Sequence, residues 1–588
     1  MAALPKAGKP LVENDAGSYL AWSGKNQPAL AGEKLGCGLL VLKPLGFALP
    51  HNADSGKFGY VLGGSAVVGV LPAGVDARER VVRLEAGDVI AMRAGEITWW
   101  YNDADGGGGE DVTILFVGDT AGAVSPGDIS YFILAGPMGV LGGLDAGLLA
   151  TASGLTSPEQ AATAFRSQPA VLLTRLSRKL QDVRPREHDR HGIVVNAARV
   201  PADSSTGGAA AGTKIVTAAH LPVLRSAAGV MSFEDSLDMA APDMSPKAGK
   251  PLVQNDAGSY LAWSGKDQPA LAGEKLGCGL LVLKPLGFAL PHNADSGKFG
   301  YVLGGSAVVG VLPVGVDARE RVVRLEAADV IAMRAGEITW WYNDADGGGG
   351  EDVTILFVGD TAGAVSPGDF SYFILAGPMG VLGGLDAGLF ATASGLTSPE
   401  QAATAFRSQP AALLTRLSRK LHGVRPREHD RHGIVVNAAR VPPDSTGGKT
   451  VTAAHLPALA QLGLSVGLAL LDAGAAVRGP WVLRDAAAQA VYVARGSGRV
   501  QVASAGGAST LLDAEVAAGS LLVVPRYAVA LVAADDAGGM ELVSLIKSSR
   551  PAMEHFTGKG SVIGGLTPEI VQAALNVSPE LVEQLRTK

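Results

Sequence analysis

Residues 6–202 of this 588-residue chain recur as residues 247–443, at a constant offset of 241 and with ten differences. Two stretches this similar must fold alike, so the same unit occurs twice and the rest of the chain is fitted around that pair. The differences are Glu13/Gln254, Asn26/Asp267, Ala73/Val314, Gly87/Ala328, Ile129/Phe370, Leu149/Phe390, Val171/Ala412, Gln181/His422, Asp182/Gly423 and Ala202/Pro443. Most are small apolar exchanges that a core absorbs.

Inside the repeat, residues 46–118 and 287–359 carry short runs rich in Val, Ile, Tyr, Trp and Leu, broken by Gly, Asp and Pro. This is the pattern of strands and tight turns. Phe58, Tyr60 and Leu62 fall two apart and share one face of a sheet, and Gly63-Gly64 then turns the chain. Many short strands in a segment of domain size predict a small all-β barrel or jelly roll. A degraded third version runs through residues 478–547. The 79 glycines fit many turns and few long helices.

Each strand-rich segment is followed by helix signals. Ser157, Pro158 and Gln160 form an N-cap, a first-turn proline and a capping box, and Ser398, Pro399 and Gln401 repeat them. Near the C-terminus, Thr567-Pro568 and Ser578-Pro579 do the same. Leu172, Leu173, Leu176 and Leu180, interleaved with Arg175, Arg178 and Lys179, predict an amphipathic packing helix. Glu187-His188-Asp189-Arg190-His191 lies between Pro185 and Gly192 and reads as a solvated loop.

The net charge of −7 gives no basic footprint for nucleic acid. No apolar run is long enough for a membrane span. The two cysteines, Cys37 and Cys278, are the same position in two copies, which predicts no disulfide framework. The first residues are polar and basic without an apolar stretch, so no signal peptide is expected and the cytoplasm is the expected compartment.

Pro50-His51, Tyr60-Val61-Leu62-Gly63-Gly64, Ala86-Gly87-Asp88 and Asn102 together resemble the cupin superfamily, in particular the plant legumin/glutelin-type (11S) seed globulins and their short bicupin relatives. The resemblance implies an all-β architecture of tandem RmlC-like jelly-roll barrels, each followed by a short α-helical extension. It divides the chain into an N-type barrel at 1–124, its extension at 125–191 and a truncated C-type stub at 192–224. After a polar linker at 225–245 come a second N-type barrel at 246–365, its extension at 366–432, a C-type barrel at 433–550 and a last extension at 551–588. It also implies a homo-oligomer, assembled trimer-like through the helical extensions. The first barrel lacks a C-type mate in its own half, which predicts apolar surface in search of cover.

Metal-dependent members of that superfamily hold a divalent ion with two His and a Glu from one motif and a His from a second. Here the first motif keeps only His51, with Lys57 in place of the Glu, and Thr98 replaces the second-motif His. The second copy repeats this at His292, Lys298 and Thr339, and the third barrel offers Leu483, Gln489 and Ala530. One imidazole beside an ammonium cannot hold a first-row metal, so no metal and no cofactor is expected. His51, Thr98 and Trp100, with His292, Thr339 and Trp341, remain as a candidate barrel-mouth pocket. No G-x-S-x-G occurs, and residues 106–109 make a hairpin tip, not a phosphate cradle. The expected function is a non-enzymatic protein of the seed storage globulin type, a nutrient reservoir. The rivals are a metal-dependent cupin enzyme, such as a dioxygenase, an oxalate-degrading enzyme or a sugar isomerase, and a metal-free module that binds a small ligand.

Overall fold

The structure, a computed structural model, describes residues 8–200, 216–217, 219–222 and 243–587, with breaks at 26, 75–76, 105–107, 346–349, 378, 445–446, 474–476, 505–508 and 536–537. Most of the expected stub beyond residue 200, and the linker apart from residues 243–245, lie outside the described residues.

In the first copy, alternation of side chains builds two facing antiparallel sheets. Val112, Ile114 and Phe116 of strand Val112–Asp119 point into the core while their neighbours do not. One sheet runs in the order Lys9–Asn14, Gly17–Trp22, Leu35–Leu42, Val112–Asp119, Gly56–Gly63, Asp88–Met92, Val194–Asn196. The other runs Tyr131–Ile133, Gly46–Ala53, Ile97–Tyr101, Ser65–Leu71, Arg80–Glu85. The second copy repeats both sheets. Gly69 is required in its strand, because a Cβ there would meet the Trp99 ring at 2.1 Å. The last strand, Val194–Asn196, lies in the segment assigned to the stub and extends the sheet of the first barrel.

The four helix signals each precede a helix, Pro158–Arg166, Pro399–Arg407, Pro568–Leu575 and Pro579–Thr587. Ser157 accepts from the Gln160 amide ahead of helix Pro158–Arg166, and Ser398 does the same ahead of Pro399–Arg407. Thr567 is a correction: its hydroxyl caps nothing and donates instead to Glu79 of the first copy. The leucine-rich stretch 172–180 is a second correction. Leu173–Arg175 is a strand paired with Gly46–Ala53, and its repeat Leu414–Arg416 pairs with Gly287–Ala294. An open sheet edge recruits these residues, and the tertiary hydrogen bonds override a helical spacing of leucines. The loop at 187–191 is exposed at Glu187, His188 and His191, as expected, but is ordered at its centre. Glu187–Arg190 is a 3-10 turn whose Asp189 is buried and accepts from the Val81 amide at 3.0 Å, while Arg190 pairs with buried Asp88 at 3.0 Å. It clamps the extension to its barrel.

The third barrel turns on strand Gln489–Ser504, which belongs to both of its sheets. It packs against both copies through opposite faces. On one, Leu459, Val491, Tyr492 and Leu521 share a core with Leu271, Phe299 and Tyr301 of the second copy, and Lys247–Ala248 adds a strand to Ser520–Val524. On the other, Val482, Tyr527, Val529 and the C-terminal helices share a core with the extension of the first copy. The cover that the first barrel was expected to seek is therefore supplied within the chain. Its remaining face, equivalent to that carrying Phe299 and Tyr301, has Phe58 and Tyr60 packed with Leu221.

Candidate functional site

His51 and Thr98 are paired on adjacent strands of one sheet, and Lys57 faces them from the other. A bulge between Ala48 and His51 turns the His51 side chain inward. His51 Nδ1 lies 2.7 Å from the Leu49 carbonyl, so Nδ1 carries the proton. The lone pair then sits on Nε2, 3.4 Å from the Thr98 hydroxyl. Tyr131 closes the centre edge-on to His51, at 5.1 Å between ring centroids, and its hydroxyl hydrogen-bonds that of Tyr19 at 2.6 Å. The Lys57 ammonium lies 4.2 Å from the Tyr131 ring centroid and 5.0 Å from that of Phe116.

All these groups are buried except Tyr131, which is half-buried. Burial, then the neighbouring Lys57, lowers the His51 pKa to about 3, so the ring is neutral at neutral pH. Burial also brings the Lys57 pKa down to about 7, opposed by Asp54. The second copy differs in one respect that matters. Phe370, in place of Ile129, adds a ring 5.1 Å from Lys298, which also donates to the Tyr372 hydroxyl at 3.1 Å. His292 is lowered to about 4 and Lys298 to about 7, each mainly by burial.

His51, Thr98 and Trp100, and equally His292, Thr339 and Trp341, lie inside the barrels and not at an open mouth. Trp100 packs edge-on to Phe116 at 5.0 Å, and Trp341 to Phe357 at 4.9 Å, so both are core residues. In the third barrel the residue in register with His51 is Trp481, not Leu483. Trp481 pairs with Ala530 as His51 pairs with Thr98, and two extra residues separate it from Gln489. Its indole donates to Gln489 at 3.2 Å, closing that centre as well. Spacing did not reveal Tyr19, Tyr131 or Asp54, because only the fold brings residues so far apart in sequence together.

This donor set does not fit a divalent ion: it presents one imidazole lone pair, a hydroxyl and an amine with no carboxylate among them. Among the described residues, no group of three His, Cys, Asp or Glu side chains is placed to hold a metal.

The jelly-roll fold agrees with comparisons to known proteins. The family model described as Cupin matches residues 4–128 and 440–583. The chain contains cupin domains at both matched stretches. Among curated cupin relatives it is similar to Cocosin 1 of Cocos nucifera, 24% identical over 368 residues, covering 52% of this chain and 77% of that protein. It is also similar to the 13S globulin seed storage protein 2 of Fagopyrum esculentum, 34% identical over 138 residues. That match covers 23% of this chain and spans about a quarter (26%) of the buckwheat protein. In fold the cupin chain resembles the crystal structure of pumpkin seed globulin, with a TM-score of 0.53 and 19% identity, covering 59% of this chain and 97% of that one. Nearly the whole of that chain thus fits on part of this one.

Proposed function

We propose that this cupin is a non-enzymatic reserve protein of the seed globulin type. Its similarity to proteins named as seed storage globulins supports the reading. The observation that carries it is the barrel centre shared by both copies, where His51 and His292 are sealed behind Tyr131 and Tyr372 and each faces a lysine. Such a centre stabilises a scaffold and offers a substrate neither an open coordination position nor a carboxylate base. The compartment we propose is the cytoplasm, supported by two cysteines that remain free thiols. We further propose that the chain associates with copies of itself where it is stored at high concentration.

Mass-spectrometric quantification through seed filling and germination tests the reading. A reserve accumulates to a major fraction of seed protein and is depleted on germination. A low level that is unchanged by germination overturns it.

A further inference from the structure

The two copies have nearly the same sequence but not the same surroundings. In the first, Phe132 is 5% exposed, Val140 3% and Leu144 1%, because the third barrel and the C-terminal helices cover them. Their repeats in the second copy, Phe373, Val381 and Leu385, are 37%, 46% and 50% exposed, and Leu389 and Met379 beside them are exposed as well. Identical side chains are therefore core in one copy and bare in the other.

What covers this face is on view in the first copy. Tyr527 stacks on Phe132 at 4.8 Å and donates to the Asp54 carbonyl at 3.0 Å. Gln501 accepts from the Asp145 amide at 2.7 Å, and Gln168 donates to the Ala573 carbonyl at 3.1 Å. Buried Arg484 donates to the carbonyls of Gly95 at 2.9 Å and Leu71 at 2.6 Å. The second copy retains the counterparts Asp295, Asp386, Gln409, Gly336 and Leu312.

We propose that the apolar face of the second copy is a seat for the C-type barrel of another copy of this chain, and that the first copy occupies that barrel's matching surface in cis and thereby blocks the association. One face of each third barrel thus has two competitors, the first copy of its own chain and the second copy of a neighbour. With near-identical contacts, the choice is set by concentration. A tethered competitor acts at an effective concentration of about 1 mM, so at about 10 µM chain the cis contact wins by about a hundredfold. Exchange to the neighbour becomes favourable only as the chain approaches millimolar levels. The inference holds whether or not the chain is a reserve.

The test uses the full chain, with mass measured by light scattering after size exclusion at about 10 µM and folding checked by circular dichroism. Gly95→Asp strikes the cis contact and leaves the face of the second copy untouched, since a Cβ at Gly95 would meet the Arg484 carbonyl oxygen at 1.6 Å. At φ +79° it also strains its own turn, which the folding check covers. Phe132→Asp is an independent lesion of the same contact. The wild type is expected at the mass of one chain, and either variant at a multiple of it. Adding Leu385→Asp, a change at an exposed position, should return each to one chain. A folded Gly95→Asp or Phe132→Asp that stays at one chain mass overturns the proposal, and so does association that survives Leu385→Asp. If both lesions unfold the protein, a wild-type concentration series decides. Association that sets in near millimolar and is abolished by Leu385→Asp supports the proposal, and its absence overturns it.

Discussion

Arg484 and Glu554 form a buried ion pair at 2.6 Å on the third barrel, and each also reaches into the first copy. Arg484 donates to Gly95 and Leu71, while Glu554 accepts from the Gly74 amide. The pair satisfies backbone groups on both sides of the seam, so its loss is felt there first. Glu554→Ala would leave a buried guanidinium without its counter-charge, a change that costs about 3–5 kcal/mol. Urea unfolding should show that loss, whereas Arg495→Ala, at a surface pair with Glu541, should change stability by less than about 1 kcal/mol.

The duplication supplies its own control for burial. Phe132→Ala removes a ring packed against Tyr527 and should cost about 3–5 kcal/mol. Phe373→Ala removes the same ring from a position that is 37% exposed and should cost distinctly less. Paired denaturation curves check this, and equal losses would mean that the two faces are covered alike.

Lys57 and Lys298 should make the protein more stable as pH rises above neutrality. Their folded pKa values of about 7 lie below the unfolded value of 10.5, so between these limits the unfolded chain binds more protons. Below pH 7 both states are protonated and the cost of the buried ammonium is complete. Stability should therefore climb from about pH 7 to about 8, a window that stays below most of the ordinary thiol and tyrosine titrations. The double variant Lys57→Met/Lys298→Met should flatten that climb and be the more stable protein at pH 7. Urea midpoints at the two pH values measure it.

On the acid side, His51 and His292 are held neutral in the fold, with pKa values lowered to about 3 and 4. Unfolded imidazoles protonate near 6.5, so stability is lost as pH falls from about 6.5 toward 4. His51→Gln with His292→Gln should remove part of that slope between pH 6.5 and 5, above the range where most carboxylates titrate. Thermal unfolding across that range is the measurement.

Metal loading tests the donor argument directly. After incubation with Mn(II) or Zn(II) and dialysis, the protein should retain well under one ion per chain by elemental analysis. A stoichiometric ion lost on His51→Ala and His292→Ala would show that the barrel centres bind what their ligands disfavour.

Much of the fold was legible because it rests on local rules. Alternation marks strand Val112–Asp119, and the Ser157 cap marks its helix, in residues adjacent along the chain. The stretch 172–180 was misread because its leucine spacing suits a helix, and only the open edge of Gly46–Ala53 makes Leu173–Arg175 a strand. Trp481 was missed because two inserted residues before Gln489 shift the count without shifting the register. His51, Lys57 and Thr98 were found from motif positions, yet their burial and the tyrosines around them were not.

By itself the sequence settled that two like units exist, that their strands alternate and cap as a jelly roll with helices, and that a lysine stands where a cupin carboxylate would be. The first two follow from residue type and spacing alone, and the third is what the resemblance to the cupins implies. The tertiary structure decided which copy of an identical face is core and which is bare, because burial belongs to the neighbour as much as to the side chain. Under the proposed exchange, the third barrel has one surface to offer to two near-identical claimants. The chain's own connectivity, not its composition, gives that surface to the first.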